Sequence, residues 1–243
     1  MKRFLSLKTV FFLILLSSLF FISCSARIDG SLSADGSAIF AVNMSLEPRM
    51  TTLIRSLSAA GGQSDDLVLN GPIIAGSMAE APGITAVTLR NISPASLGGQ
   101  VRIGRISEFL TAADGRRFIV FEQGVSGGRC EIIINRDNGP DIIGLLSPDI
   151  DDYLNALMAP IVTGEEINKE EYLELVASFY NRTISNEILS SRILVSIVFP
   201  STVTRVFAPG QSGTFSARRA TFDIPLLDLL VLETPLRYEV RWQ

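Results

Sequence analysis

The sequence predicts an α+β fold: a curved, largely antiparallel sheet, or a partial barrel, packed against two or three amphipathic helices. Three observations lead there. Alternating apolar and polar residues mark strands at both ends of the chain. Helical periodicity is concentrated between them. Strands followed by helices and then strands again is the order of an α+β domain rather than of a doubly wound one. The 243 residues suffice for one substantial core.

The elements follow in order. Residues 26–45, "ARIDGSLSADGSAIFAVNMS", predict two strands about an Ala34-Asp35-Gly36 turn, with Ala38, Phe40, Val42 and Met44 alternating. A helix over 46–60 places Leu46, Met50, Leu53, Ile54 and Leu57 on one face, with Pro48 in its first turn and Gly61-Gly62 as its stop. Pro72 to Ala81 predicts a short helix. "ITAVTLRNIS" and "QVRIGRIS" predict strands joined across Pro94 and Gly98-Gly99, and Glu108 to Ala113 a helical turn. "RRFIVFEQ" and "RCEIIIN" predict a hairpin closed by "GVSGG", with a further turn at Asn138-Gly139-Pro140.

Ser147-Pro148 opens a predicted helix in which Ile150, Tyr153, Leu154, Leu157 and Met158 share a face. Asn168, with Glu171 three residues on, has the pattern of a capping box. The helix it starts carries Tyr172, Leu173, Val176 and Phe179 or Tyr180. "RILVSIVF", "STVTRVFA", "TFSARRATFDI" and "PLRYEVRW" predict the closing strands.

The chemistry-bearing motifs are few. The chain has no histidine, so the commonest metal ligand and the commonest general base are both missing. Gly124-Val125-Ser126-Gly127-Gly128 matches the pattern of a hydrolase nucleophile elbow. That chemistry needs a strand-to-helix turn and a base behind the serine, and here the motif joins two strands. The acidic runs "SPDIDDY" and "GEEINKEEY" fall at helix starts, where carboxylates favour the dipole. "NRDNGPD" lacks the EF-hand spacing. No catalytic residue, metal site or cofactor is expected.

Cys130, in a strand, reads as a buried inert thiol. Arg218-Arg219, Arg237/Arg241, Arg102 and Arg105 either lie on exposed strand faces or grip phosphate or carboxylate headgroups with their forked donors. "DIPLLDLLVLETP", residues 223–235, either covers the sheet as core or lines an apolar cavity.

Location is written at the start of the chain. Lys2, Arg3 and Lys8 form a basic head, Thr9 to Ile22 an apolar body, and Ser23-Cys24 a boundary. This is the layout of a secretory signal peptide. The apolar run is shorter than the roughly 20 residues of a membrane span. Phe21-Ile22-Ser23-Cys24 resembles a bacterial lipobox of the relaxed, spirochaete type. The resemblance implies cleavage before Cys24, a diacylglycerol thioether on its sulfur, and acylation of the new amino group.

Residues 1–23 then form the signal peptide and 24–243 one domain. Loss of the three leader cations leaves 18 Lys+Arg against 25 Asp+Glu, a net charge of −7. Such a surface does not suit a general nucleic-acid binder.

Two stretches carry a family resemblance: the strand pair "IDGSLSADGSAIFAVNMSL" leading into a helix, and "ILVSIVFPSTVTRV" with its Phe199-Pro200 link. They resemble the LppM-like domain family of bacterial lipoproteins. That resemblance implies a curved antiparallel sheet or partial barrel and a lipid-binding role, but transfers no site residue. Family members often carry a C-terminal membrane helix, whereas the last residues here alternate as a strand. The combined expectation is a non-catalytic lipoprotein of the bacterial cell envelope, on a periplasmic or outer-membrane face, tethered to the membrane through Cys24. Its domain binds a lipid or other hydrophobic ligand; the alternative is a structural or assembly partner of other envelope proteins.

Overall fold

The computed structural model describes residues 25–60, 67–109, 118–139 and 165–243. The signal peptide, Cys24 and the helix expected at 148–159 lie outside them, as does the side chain of Leu57. The architecture is α+β, as the sequence predicts. There are two largely antiparallel sheets, however, and they do not close into a barrel.

The larger sheet has seven strands in the order β3-β4-β2-β1-β7-β10-β9. These are β1 (Ser25–Leu32), β2 (Ala38–Ser45), β3 (Ile84–Ser93), β4 (Ser96–Ile103), β7 (Arg192–Val198), β9 (Gly213–Ser216) and β10 (Arg219–Pro225). The smaller has the order β5-β6-β11-β8, from β5 (Ile119–Gly124), β6 (Gly127–Ile134), β8 (Val203–Phe207) and β11 (Leu236–Trp242). The exception to antiparallel pairing is β1 with β7, which run parallel from Ser25↔Arg192 to Ser31↔Val198.

Five α-helices occur among the described residues: α1 (Pro48–Ala60), α2 (Gly71–Ala79), α3 (Lys169–Phe179), α4 (Arg182–Ser190) and α5 (Leu226–Val231). Asn168 caps α3 in a complete capping box with Glu171. The helix α4 was not anticipated. Asn181 caps it, and Ile184 and Ile188, one turn apart, are buried. It also caps α1, because the Glu187 carboxylate accepts from the Met50 backbone N–H at 2.9 Å.

The helices and the smaller sheet share one face of the larger sheet. Met50, Leu53, Tyr172, Val176, Ile188, Leu227 and Trp242 form a single core with inward strand residues such as Leu32, Val101 and Phe222. Leu69 and α2's Ile74 pack on Leu89 and Leu97 in a second cluster. The apolar stretch at 223–235 is core: Leu227, Leu230, Val231 and Leu232 are all buried.

Two local expectations are corrected, and one open alternative is decided. Gly98-Gly99 lies inside β4, and the turn before it is the short link at Pro94-Ala95. A Cβ on Gly99 would stand 1.7 Å from the Thr88 carbonyl oxygen of β3, so only glycine admits that approach. "TFSARRATFDI" is two strands, β9 and β10, that turn at Ala217-Arg218 with Ala217 at φ 50°. Phe179 is exposed, and Tyr180 takes the core-facing position.

These contacts order two substitutions. Gly99→Ala is expected to cost about 3 kcal/mol through overpacking. Gly76→Ala, in α2 where an added Cβ meets nothing within 4 Å, is expected to gain about 1 kcal/mol. Urea unfolding of both variants checks the opposite signs.

Candidate functional site

Ser126 is one of the two turn residues between β5 and β6, and Gly124 pairs with Gly127 across that turn. The turn is exposed and leads into a strand, not a helix. The nucleophile-elbow geometry is therefore absent there. Burial pushes the Cys130 thiol and the Tyr238 phenol each up to about 12, so both stay protonated at neutral pH.

A polar cleft of about 680 Å³ opens beside the start of α3. It is lined by Asp137, Glu166, Glu171 and Glu233 around Arg136. The arginine is committed to backbone carbonyls, donating to Glu165 at 2.9 Å and Leu232 at 3.2 Å. Glu171 is engaged in the α3 capping box. No group of three or more metal-ligating side chains stands together among the described residues.

An apolar gap between helices and strands is where a lipid ligand would sit. The described part of that interface is packed. Phe40, Val42, Leu53, Val176, Leu236, Tyr238, Val240 and Trp242 belong to one core cluster. The Trp242 ring meets Phe199 at 5.0 Å and Phe121 at 5.9 Å between centroids. Its indole N–H donates to Gln123 at 3.1 Å. Phe222 meets Tyr238 edge-on at 5.4 Å. Leu157, expected on the same interface, lies outside the described residues.

The arginines expected near a headgroup are engaged elsewhere. On the outer face of the smaller sheet, Glu131 and Glu239 stand directly opposite each other on β6 and β11. They are only 7% and 5% exposed. Like charges across a ladder repel, and diagonal arginines compensate. Arg237 Nε reaches Glu131 at 2.5 Å and its Nη2 reaches Glu239 at 2.6 Å. Arg241 Nε reaches Glu239 at 2.5 Å, and Arg129 pairs with Glu131. Burial pushes the Glu239 carboxyl up, but the Arg241 hydrogen bond and the charges of Arg241, Arg129 and Arg237 outweigh it and hold the group below the usual range. Arg237 also lies over the Phe207 ring at 5.4 Å.

The lattice is satisfied on its acidic side, so it offers no free carboxylate for acid–base work. Of the other arginines singled out in the sequence, Arg105 pairs with Glu108 and Arg218 donates to the Phe199 carbonyl. Arg102 and Arg219 point outward from the larger sheet. No local pattern links Glu131 to Arg237, 106 positions away.

No helix among the described residues is long and apolar enough to cross a membrane. No known family profile matches the chain, and no curated relative does. Among solved structures, the chain is similar to the NMR structure of the folded domain of the Mycobacterium tuberculosis LppM protein. The identity is 9%, 90% of each chain is covered, and the TM-score is 0.36. A likeness this remote assigns neither fold nor residue role.

The lattice predicts an acid-side loss of stability. Glu239 is held below its unfolded value of about 4.3. Its contribution is therefore complete above that pH and is lost as pH falls through the lower folded value. Urea midpoints between pH 7 and pH 3 should fall in wild type, and Glu239→Gln should lower the midpoint at pH 7 while flattening that slope. In a separate check, a serine-reactive phosphonate should leave Ser126 unmodified.

Proposed function

We propose that this chain is an envelope lipoprotein, held at a bilayer by acyl chains on Cys24, whose α+β domain works by binding rather than by catalysis. The observation that carries the reading is the abruptness of the join. β1 begins at Ser25, the residue after the cysteine that ends the apolar leader, and it is the central strand of the larger sheet. A tether there leaves almost no linker, so the domain sits against the membrane surface. Acyl chains contribute about 0.8 kcal/mol per buried methylene, and two chains hold a protein stably.

The close packing between the described strands and helices favours contacts made by the domain's outer surfaces over an acyl chain held among those residues. This tilts the reading from a lipid carrier toward a surface-acting partner of other envelope components. Arg237 and Arg241 belong to the Glu131–Glu239 lattice rather than to a ligand headgroup.

Two measurements test it. Cys24→Ala should accumulate an unprocessed precursor and lose labelling by a palmitate analogue; undiminished labelling of that variant rejects the anchor. Wild-type protein stripped of lipid should show no saturable binding of a fluorescent fatty acid at micromolar concentration. Saturable binding that Val42→Trp abolishes would restore the carrier reading.

A further inference from the structure

The outer face of the larger sheet has a charge opposite in sign to that of the whole chain. Strand register assigns its residues: Arg27 and Asp29 on β1, Arg90 on β3, Arg102 on β4, Arg192 on β7, Arg219 and Asp223 on β10. Five arginines against two aspartates give this face +3, on a chain of net charge −4. Arg27 pairs with Asp29 at 2.7 Å, and Arg192 approaches Asp223 at 3.8 Å. Arg219 donates to the Ser196 hydroxyl at 2.7 Å. Arg90 and Arg102 are exposed and make no ion pair among the described residues.

Two large aliphatic side chains lie on the same face. Ile39 is 42% exposed and stands cross-strand from Arg102. Ile92 is 67% exposed and rests over Gly98, the cross-strand partner of Arg90. Cations interspersed with exposed aliphatics make the composition of an interfacial membrane surface. The opposite face of this sheet is covered by the helices and the smaller sheet.

We propose that this face docks on the anionic headgroups of the bilayer that holds Cys24. The inference rests on the anchoring proposed above and adds a second, electrostatic contact to it. Arg27 is three residues beyond Cys24, at most about 10 Å of extended chain. Headgroups are then within about one Debye length of Arg27 at physiological salt, and the sheet carries Arg102 and Arg90 two and three strands further along the same face. Tethering replaces a bimolecular encounter by an intramolecular one. A second copy of the chain is disfavoured as occupant, because a face of net +3 repels its own kind.

The test uses the full chain, processed and purified in detergent, with Thr88→Cys as an outward-facing label site on β3. Cys130→Ala removes the native thiol that would compete for the label. The labelled protein is reconstituted with vesicles of phosphatidylcholine alone or of phosphatidylcholine with phosphatidylglycerol. Flotation reports the anchor, and an environment-sensitive fluorophore at the label reports the face.

Flotation on both vesicles is expected, with a blue shift only where phosphatidylglycerol is present. Raising salt from roughly 0.05 to 0.5 M should reverse the shift. Each cation facing an anionic leaflet is worth roughly fivefold in partitioning. The double variant Arg90→Glu/Arg102→Glu should therefore abolish the shift while flotation and the circular dichroism spectrum are kept.

Flotation on both vesicles without any shift would overturn the docking and leave the anchor standing; an acidic protein as the true occupant gives this result. An equal shift on both vesicles overturns the electrostatic basis. Flotation on the anionic vesicles alone supports the docking and rejects the acyl anchor. Flotation on neither rejects both.

Discussion

The larger sheet depends on the pairing of one strand. β1 lies at its centre, antiparallel to β2 on one side and parallel to β7 on the other. Strands β2, β3 and β4 belong to the first half of the chain, and β7, β9 and β10 to the second. Without β1 the two groups have no shared ladder. The parallel pair joins residues more than 160 positions apart, so its loop-closure entropy must be met before its hydrogen bonds contribute. Local hairpins β1–β2 and β9–β10 form cheaply by comparison. The contact between Glu187 and the first turn of α1 reinforces the same junction, since it ties a helix that follows β2 to one that precedes β7.

The smaller sheet solves its register differently. Two carboxylates directly opposite each other would ordinarily split β6 from β11. The diagonal arginines make the pair tolerable in one register. A slip of β11 by one residue would turn Glu239 into the core and send Tyr238, Val240 and Trp242 out of it. Leaving a carboxylate there unpaired costs far more than the ion pairs contribute at an accessible surface. The lattice therefore acts chiefly against the wrong pairing, and its net contribution to stability is smaller than its number of contacts suggests.

What could be read from the sequence followed from local physics. The alternation in "LRYEVRW" fixed which residues of β11 face inward, and Asn168 with Glu171 located the start of α3. The hairpin at 124–127 announced itself through its glycines. The helix α4 did not, because "RTISNEILS" has only three apolar residues, and one of them, Leu189, is exposed. The β9–β10 turn carries no glycine, proline or asparagine; Ala217 is forced to positive φ by pairing on either side of it. That there are two sheets, and that β1 meets β7, is decided by tertiary pairing that no window of sequence contains. The arginines were visible in the sequence, but their partners were not. Nothing local distinguishes Arg237, which is committed to Glu131, from Arg102, which makes no ion pair among the described residues.

Charge is segregated by layer, and this has a physical consequence. Arginines dominate the outer face of the larger sheet, while α3 alone carries Glu170, Glu171 and Glu174 on the helical side. The cleft beside it adds Asp137, Glu166 and Glu233. The chain's negative net charge thus hides a dipole running from the helical layer to the sheet face. Near an anionic surface the monopole of the processed chain, −7, is repelled as a whole, whereas a dipole is turned. A free domain would feel mainly the repulsion. A domain held by a short tether cannot leave, so the turning term governs, and it brings the arginine face toward the negative charge and the acidic helices away from it. The tether and the charge layout are therefore complementary: neither fixes the orientation by itself, and together they select one face of the sheet.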